Sequence, residues 1–198
     1  KTMSIFVKIC GLTEIEHVNA AVDAGADALG FVFAESVRKI SPQDAAMITK
    51  DVPDSVLRVA VMLNPSKSNW QEVADIFLPD VVQTNASDFG YLNVPETITT
   101  WPVFRENDLS LNTPQKGNFV YEGLKSGHGQ TVDWKKAASI PRRENMILAG
   151  GLDQYNVTQA IKYVRPFGVD VSSAMEISPG QKCIKQIVTF ISVVKNLE

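Results

Sequence analysis

The chain is poor in the residues that bind metals or staple small folds. Two cysteines and two histidines occur in 198 residues. Cys10 and Cys183 lie far apart, and no zinc-ligand spacing or disulfide framework can be built from them. A reducing compartment is the expected setting, and the chain is read as cytoplasmic. No apolar run approaches the ~20 residues of a membrane-spanning helix, and no signal-peptide pattern opens the chain. Excess positive charge is missing as well: 19 Lys and Arg against 22 Asp and Glu leave a net charge of −3. That balance argues against a general nucleic-acid or membrane-surface partner. With no composition shift and no low-complexity linker, residues 1–198 are read as one domain.

What the chain does have is alternation. Strand-like runs are expected at 4–10, 28–33, 58–63, 81–84, 101–105, 119–122, 146–149 and 168–171. Helices are expected at 14–24 (capped by Thr13, stopped by Gly25), 41–50, 68–77, weakly at 87–92, and at 134–139, 153–163 and 181–195. Residues 106–117 carry loop formers and no apolar stripe. The pattern predicts an α/β fold: a (β/α)8 TIM barrel of parallel strands with its fifth helix missing or vestigial. A doubly wound open sheet is the alternative, disfavoured by eight units without a nucleotide-type glycine fingerprint.

In such a barrel, chemistry belongs at the carboxyl ends of the strands. The first strand ends in Lys8-Ile9-Cys10-Gly11. Side chains alternate, so Val7 and Ile9 share one apolar face while Lys8 and Cys10 share the other. A thiol beside an ammonium is a candidate low-pKa base or nucleophile, although a buried cysteine also packs as a small hydrophobe. Strands seven and eight end in Gly150-Gly151 and Ser172-Ser173, the place where barrels commonly bind phosphate; tight turns with routine caps are the plainer reading. Arg38 follows the second strand, either as a carboxylate clamp or as a solvated charge. Glu122 ends the sixth. His17 reads as a surface residue and His128 as part of a glycine-flanked loop. Closure of the barrel puts strand eight beside strand one, so Asp170 and Lys8 are expected to form a buried ion pair beneath the site.

Taken together, these motifs resemble the phosphoribosylanthranilate isomerases of tryptophan biosynthesis. The resemblance runs essentially end to end. It rests on Val7–Leu12, Gly25–Phe31, Thr131–Trp134, Ala149–Leu152, Gly168–Ser173 and Glu176–Gly180. It implies a cofactor-free, metal-free Amadori rearrangement of N-(5′-phosphoribosyl)anthranilate to its 1-deoxyribulose 5-phosphate isomer. In that reading Cys10 is the base and Glu122 stands where the family has its acid, an aspartate. The family's arginine for the anthranilate carboxylate maps onto Arg38; Lys8 and Asp170, which the resemblance does not by itself explain, are also assigned to substrate binding, and Gly150, Gly151, Ser172 and Ser173 to the phosphate. The partner is a small phosphoribosyl substrate, and the chain is expected as a monomer or homodimer. The sequence departs from the family pattern at Glu122, at Asn85 where the family has histidine, at His128 in a Gly-Gly-Thr-Gly turn, and at Ala174 in the Ser-Ser-Gly loop. Two alternatives stand beside this reading: a related phosphosugar isomerase accepting the analogous histidine-pathway ribonucleotide, and a non-catalytic phosphate-binding barrel.

Overall fold

A computed structural model describes residues 5–107, 116–123 and 131–197. Most of the segment read as lacking the fifth helix, and the turn carrying His128, lie outside those residues. Eight parallel strands close into a barrel in sequential order. They are β1 (Phe6–Cys10), β2 (Ala28–Val32), β3 (Leu57–Val61), β4 (Val81–Asn85), β5 (Thr99–Arg105), β6 (Phe119–Glu122), β7 (Met146–Leu148) and β8 (Gly168–Val171). The helices are α1 (Ile15–Asp23), α2 (Pro42–Ile48), α3 (Lys67–Phe77), α4 (Trp134–Ser139), α5 (Val157–Val164) and α6 (Ile184–Lys195). A single 3-10 turn at Ala86–Gly90 replaces a helix after β4. Among the described residues no helix is long and apolar enough to cross a membrane.

Strand alternation divides the apolar residues into two cores. Phe6, Ala28, Val59, Val81, Trp101, Val120 and Ile147 fill the barrel interior, while Val7, Ile9, Leu29, Val169 and Val171 face outward against the helices. Phe6 lies edge-on to Trp101 at 5.8 Å and stacks on Phe167 at 5.1 Å, plugging the amino-terminal end. Gly168 is needed there: a Cβ would sit 2.7 Å from Phe6 Cβ. At the other end a cavity opens among the carboxyl ends of the strands, where polar side chains gather.

Three local expectations change. The cap of α1 is Glu14, not Thr13, and its side chain makes no capping bond. Helix α5 begins at Val157 rather than 153, because Asp153 and Asn156 tie residues 153–156 into a turn: Asp153 Oδ1 accepts from Asn156 N and Asn156 Oδ1 accepts from Asp153 N, each at 2.9 Å. The last helix begins at Ile184, since Gln181-Lys182 forms strand β10, antiparallel to β9 (Glu176–Ser178).

Candidate active site

The β1–β8 register sets Lys8 opposite Asp170. Both side chains point inward, and Lys8 Nζ donates to Asp170 Oδ2 at 2.9 Å. Lys8 has no exposed surface. Its neighbours Cys10 and Asp170 line the cavity beside it. Burial alone would discharge this ammonium, but Asp170 and Cys10 outweigh it and hold its pKa above the usual lysine value. On the opposite strand Gly30 makes the space: a Cβ there would come within 2.8 Å of Cys10 Sγ and 3.1 Å of Lys8 Nζ.

Cys10 lines the cavity with its thiol beside Lys8. The low-pKa expectation is not met. Burial pushes the thiol upward and outweighs the pull of Lys8, whose charge is shared with Asp170.

Glu122 reaches the same cavity from the end of β6, and Arg105 Nη2 of β5 stands 2.9 Å from its Oε1. The β5–β6 register sets these two residues side by side. Arg105 Nη1 also donates to Asn85 Oδ1, and Asn85 Nδ2 donates to Asn64 Oδ1 at 2.7 Å. The carboxyl of Glu122 is thus fixed from one side by a chain of polar groups running across β3, β4 and β5. Nothing in the sequence alone linked Asn85 and Arg105 to Glu122; adjacent strand ends supply the link.

Arg38, after β2, is no free surface charge. Its Nε and Nη2 donate to Glu176 Oε1 at 2.6 Å and Oε2 at 2.8 Å. Lys182 Nζ donates to the same Oε1 at 2.7 Å, and to Ser172 O and Oγ at 2.9 and 3.1 Å. Burial would raise the Glu176 pKa, but the two cations overcome it and hold the carboxyl below its usual value. For Lys182 burial prevails and draws the ammonium below its usual value, against the opposing pull of Glu176. The motif reading quoted Glu176 but gave it no role, and it passed over Lys182. The Pro179-Gly180 pair was the available signal, because a turn there makes Glu176 and Lys182 cross-strand neighbours.

Gly150 and Gly151 both take positive φ, at 96° and 64°, which only glycine adopts without strain. They face the same cavity as Ser172 and Ser173. Ser172 Oγ donates to Cys10 O at 3.0 Å, tying the end of β8 to the end of β1. Two buried acceptors, Asp170 Oδ1 and Gln83 Oε1, belong to residues that line the cavity and have no hydrogen-bond partner among the described residues. A bound polar group would satisfy them. No cluster of metal-ligating side chains occurs among the described residues.

Residues 7–193 match the family model of N-(5′-phosphoribosyl)anthranilate (PRA) isomerase. The N-(5′-phosphoribosyl)anthranilate isomerase of a Bacillus cereus strain is 38% identical over 196 residues, spanning 93% of this chain and 96% of the relative. The crystal structure of phosphoribosyl anthranilate isomerase from Thermus thermophilus superposes with a TM-score of 0.82 at 25% identity, over 98% of this chain and all of that one. A phosphoribosyl anthranilate isomerase in complex with reduced 1-(o-carboxyphenylamino)-1-deoxyribulose 5-phosphate superposes at 0.74, with 32% identity and 98% of this chain covered against all of that one. A closed eight-stranded barrel, a strand-end cysteine and carboxylate facing one cavity, and matches along nearly the whole length agree, and the chain belongs to the N-(5′-phosphoribosyl)anthranilate isomerase family.

Proposed function

We propose that this chain isomerises N-(5′-phosphoribosyl)anthranilate to 1-(2-carboxyphenylamino)-1-deoxyribulose 5-phosphate, with Cys10 as base and Glu122 as acid. The observation that carries this reading is the placement of that thiol and that carboxyl on one cavity, between a two-loop anion cradle and an arginine. The substrate has three parts, and the cavity offers a match for each. Its phosphate fits between Gly150-Gly151 and Ser172-Ser173, where backbone N–H groups and hydroxyls are available as donors. Its anthranilate carboxylate fits Arg38, whose Nη1/Nη2 edge is left over once Glu176 has taken the other. The ribose then spans Cys10 and Glu122.

Glu122 gives its proton to the ring oxygen, the C1′–O bond breaks, and the nitrogen lone pair forms a protonated Schiff base. Cys10, as thiolate, takes the proton from C2′, and those electrons neutralise the iminium as an enolamine. Tautomerisation of the enolamine gives the ketose, and return of the Cys10 proton to Glu122 through solvent resets both groups. The substrate's positive iminium assists the second step by making C2′–H more acidic, so a thiol with a raised pKa remains serviceable as the base. Asp170 Oδ1 accepts from a substrate hydroxyl, which supplies the partner it otherwise lacks. Lys8 works indirectly, by holding Asp170 and stabilising the Cys10 thiolate.

Complementation tests the reading: a tryptophan auxotroph lacking this isomerase should grow without tryptophan when it carries this chain. Failure of the well-expressed protein to restore growth would overturn it, and would favour the non-catalytic barrel.

A further inference from the structure

We propose that Glu176 and Lys182, on the hairpin that follows β8, are positioning residues that hold the carboxylate-binding and phosphate-binding ends of the site in fixed relation. The proposal rests on the assignment of Arg38 to the substrate carboxylate and Ser172 to its phosphate.

Glu176 is the hub. Its two oxygens take the Nε/Nη2 edge of Arg38 in a bidentate contact, and Oε1 also accepts from Lys182. Side-chain exposure is 4% for Glu176 and zero for Lys182. An ammonium this deep is retained only with its donors satisfied, and it has three acceptors: one on Glu176 and two on Ser172. A single cation therefore fastens the phosphate loop to the carboxylate that aims Arg38. Ser172 passes the connection to the backbone of Cys10.

Packing confines the arginine further. A Cβ on Gly11 would fall 2.6 Å from Arg38 Cδ, so the stem lies directly on the glycine after Cys10. Gly180 sits against the loop that carries Arg38, where a Cβ would be 2.7 Å from Val37 O. An arginine stem free in solution samples many rotamers. This one has been ordered before any substrate arrives, with one guanidinium edge spent on Glu176 and the other left for a planar carboxylate. Neither Glu176 nor Lys182 lines the cavity. Their effect is on how the ligand is held, not on the proton transfers.

The test is steady-state kinetics with N-(5′-phosphoribosyl)anthranilate, using inorganic phosphate as a competitive inhibitor. Glu176→Gln should raise KM roughly tenfold to a hundredfold, the range for loss of charge-assisted hydrogen bonds. It should leave kcat within about threefold and the phosphate Ki nearly unchanged. Lys182→Met should raise both KM and the phosphate Ki, with Lys182→Arg restoring part of each. Arg38→Met should raise KM, and Arg38→Met/Glu176→Gln should raise it no further, because Glu176 acts through Arg38. Should Lys182→Met fail to fold, Lys182→Met/Glu176→Gln leaves no buried carboxylate without its lysine and is compared with Glu176→Gln alone: the phosphate Ki should rise only in the double variant. Independent, multiplicative effects of Arg38→Met and Glu176→Gln on KM would overturn the proposal, as would KM and Ki values unmoved by the hairpin variants. An Arg38→Met enzyme with unchanged KM would overturn the carboxylate assignment itself, and the proposal with it.

Discussion

Removing Asp170 should convert Lys8 from a structural asset into a pH-dependent liability. Lys8 has no exposed surface, and Asp170 is its one carboxylate partner among the described residues. Asp170→Leu takes away the charge that holds the ammonium in place and leaves burial to act alone, so the lysine pKa falls in the folded state. The protein then has a choice: keep a stranded charge, or fold with Lys8 neutral. The second route sets a ceiling on the cost. An unfolded lysine titrates near 10.4, and each pH unit below that costs about 1.36 kcal/mol to fold it neutral. The ceiling is about 4.6 kcal/mol at pH 7 and about 1.9 kcal/mol at pH 9. The first figure falls within the roughly 3–5 kcal/mol typical for breaking a buried pair.

The sign follows from linkage. In the variant, the unfolded state binds the proton that the folded state rejects, so its stability climbs with pH toward the unfolded lysine value. Cys10 complicates the measurement, because its thiolate is a substitute partner for Lys8 at high pH. The comparison therefore belongs in a Cys10→Ala background. Urea unfolding followed by the fluorescence of Trp70 and Trp101, each 2% exposed, gives the free energies at both pH values. The expected loss is about 3–4.5 kcal/mol at pH 7, falling to no more than about 1.9 kcal/mol at pH 9. Adding Lys8→Met should return most of it. A loss under about 1 kcal/mol at pH 7, or one equal at both pH values, would refute the reasoning.

Gly30→Ala should impair the enzyme without removing a titratable group. Its methyl would press on Cys10 Sγ and Lys8 Nζ, and overpacking of this kind costs about 1–3 kcal/mol, readable as a lowered urea midpoint alongside reduced turnover. Glu122→Asp should lower kcat on the order of a hundredfold, because the carboxyl retracts by about 1.5 Å from a position that Arg105 and its neighbours define; an increase would mean the glutamate is a compromise. The limb of kcat/KM that reports Cys10 should rise with pH through a midpoint above the ordinary thiol range, since the base is the deprotonated form and burial raises its pKa. A midpoint below that range would mean Lys8 outweighs burial.

The barrel was legible because each strand carries its own instructions. Alternation in Phe6–Cys10 and Gly168–Val171 told inward from outward faces, and barrel closure then made neighbours of Lys8 and Asp170, which are 2.9 Å apart in the structure. Which residues stand at the strand ends, Cys10 and Glu122 among them, was legible for the same reason. The Cys10 pKa was not, since the contest between burial and a cation whose charge is shared with Asp170 depends on depth, which no spacing encodes. The Arg38–Glu176–Lys182 cluster was missed because it joins the loop after β2 to a hairpin after β8, and the apolar periodicity beyond Lys182 drew the helix three residues too early. Glu122 was placed correctly at its strand end, yet its partners Arg105 and Asn85 come from adjacent strands whose stagger only the closed barrel fixes.

The central claim is that one thiol, Cys10, takes the C2′ proton in this cavity. It is tested most directly by turnover of N-(5′-phosphoribosyl)anthranilate by the wild-type chain and by Cys10→Ala, with affinity for the reduced product analogue measured on both. The account predicts turnover by the wild type, a loss of about a thousandfold or more in kcat on removal of the sulfur, and analogue affinity changed by less than about tenfold. A Cys10→Ala protein that keeps more than a few per cent of wild-type kcat would contradict it.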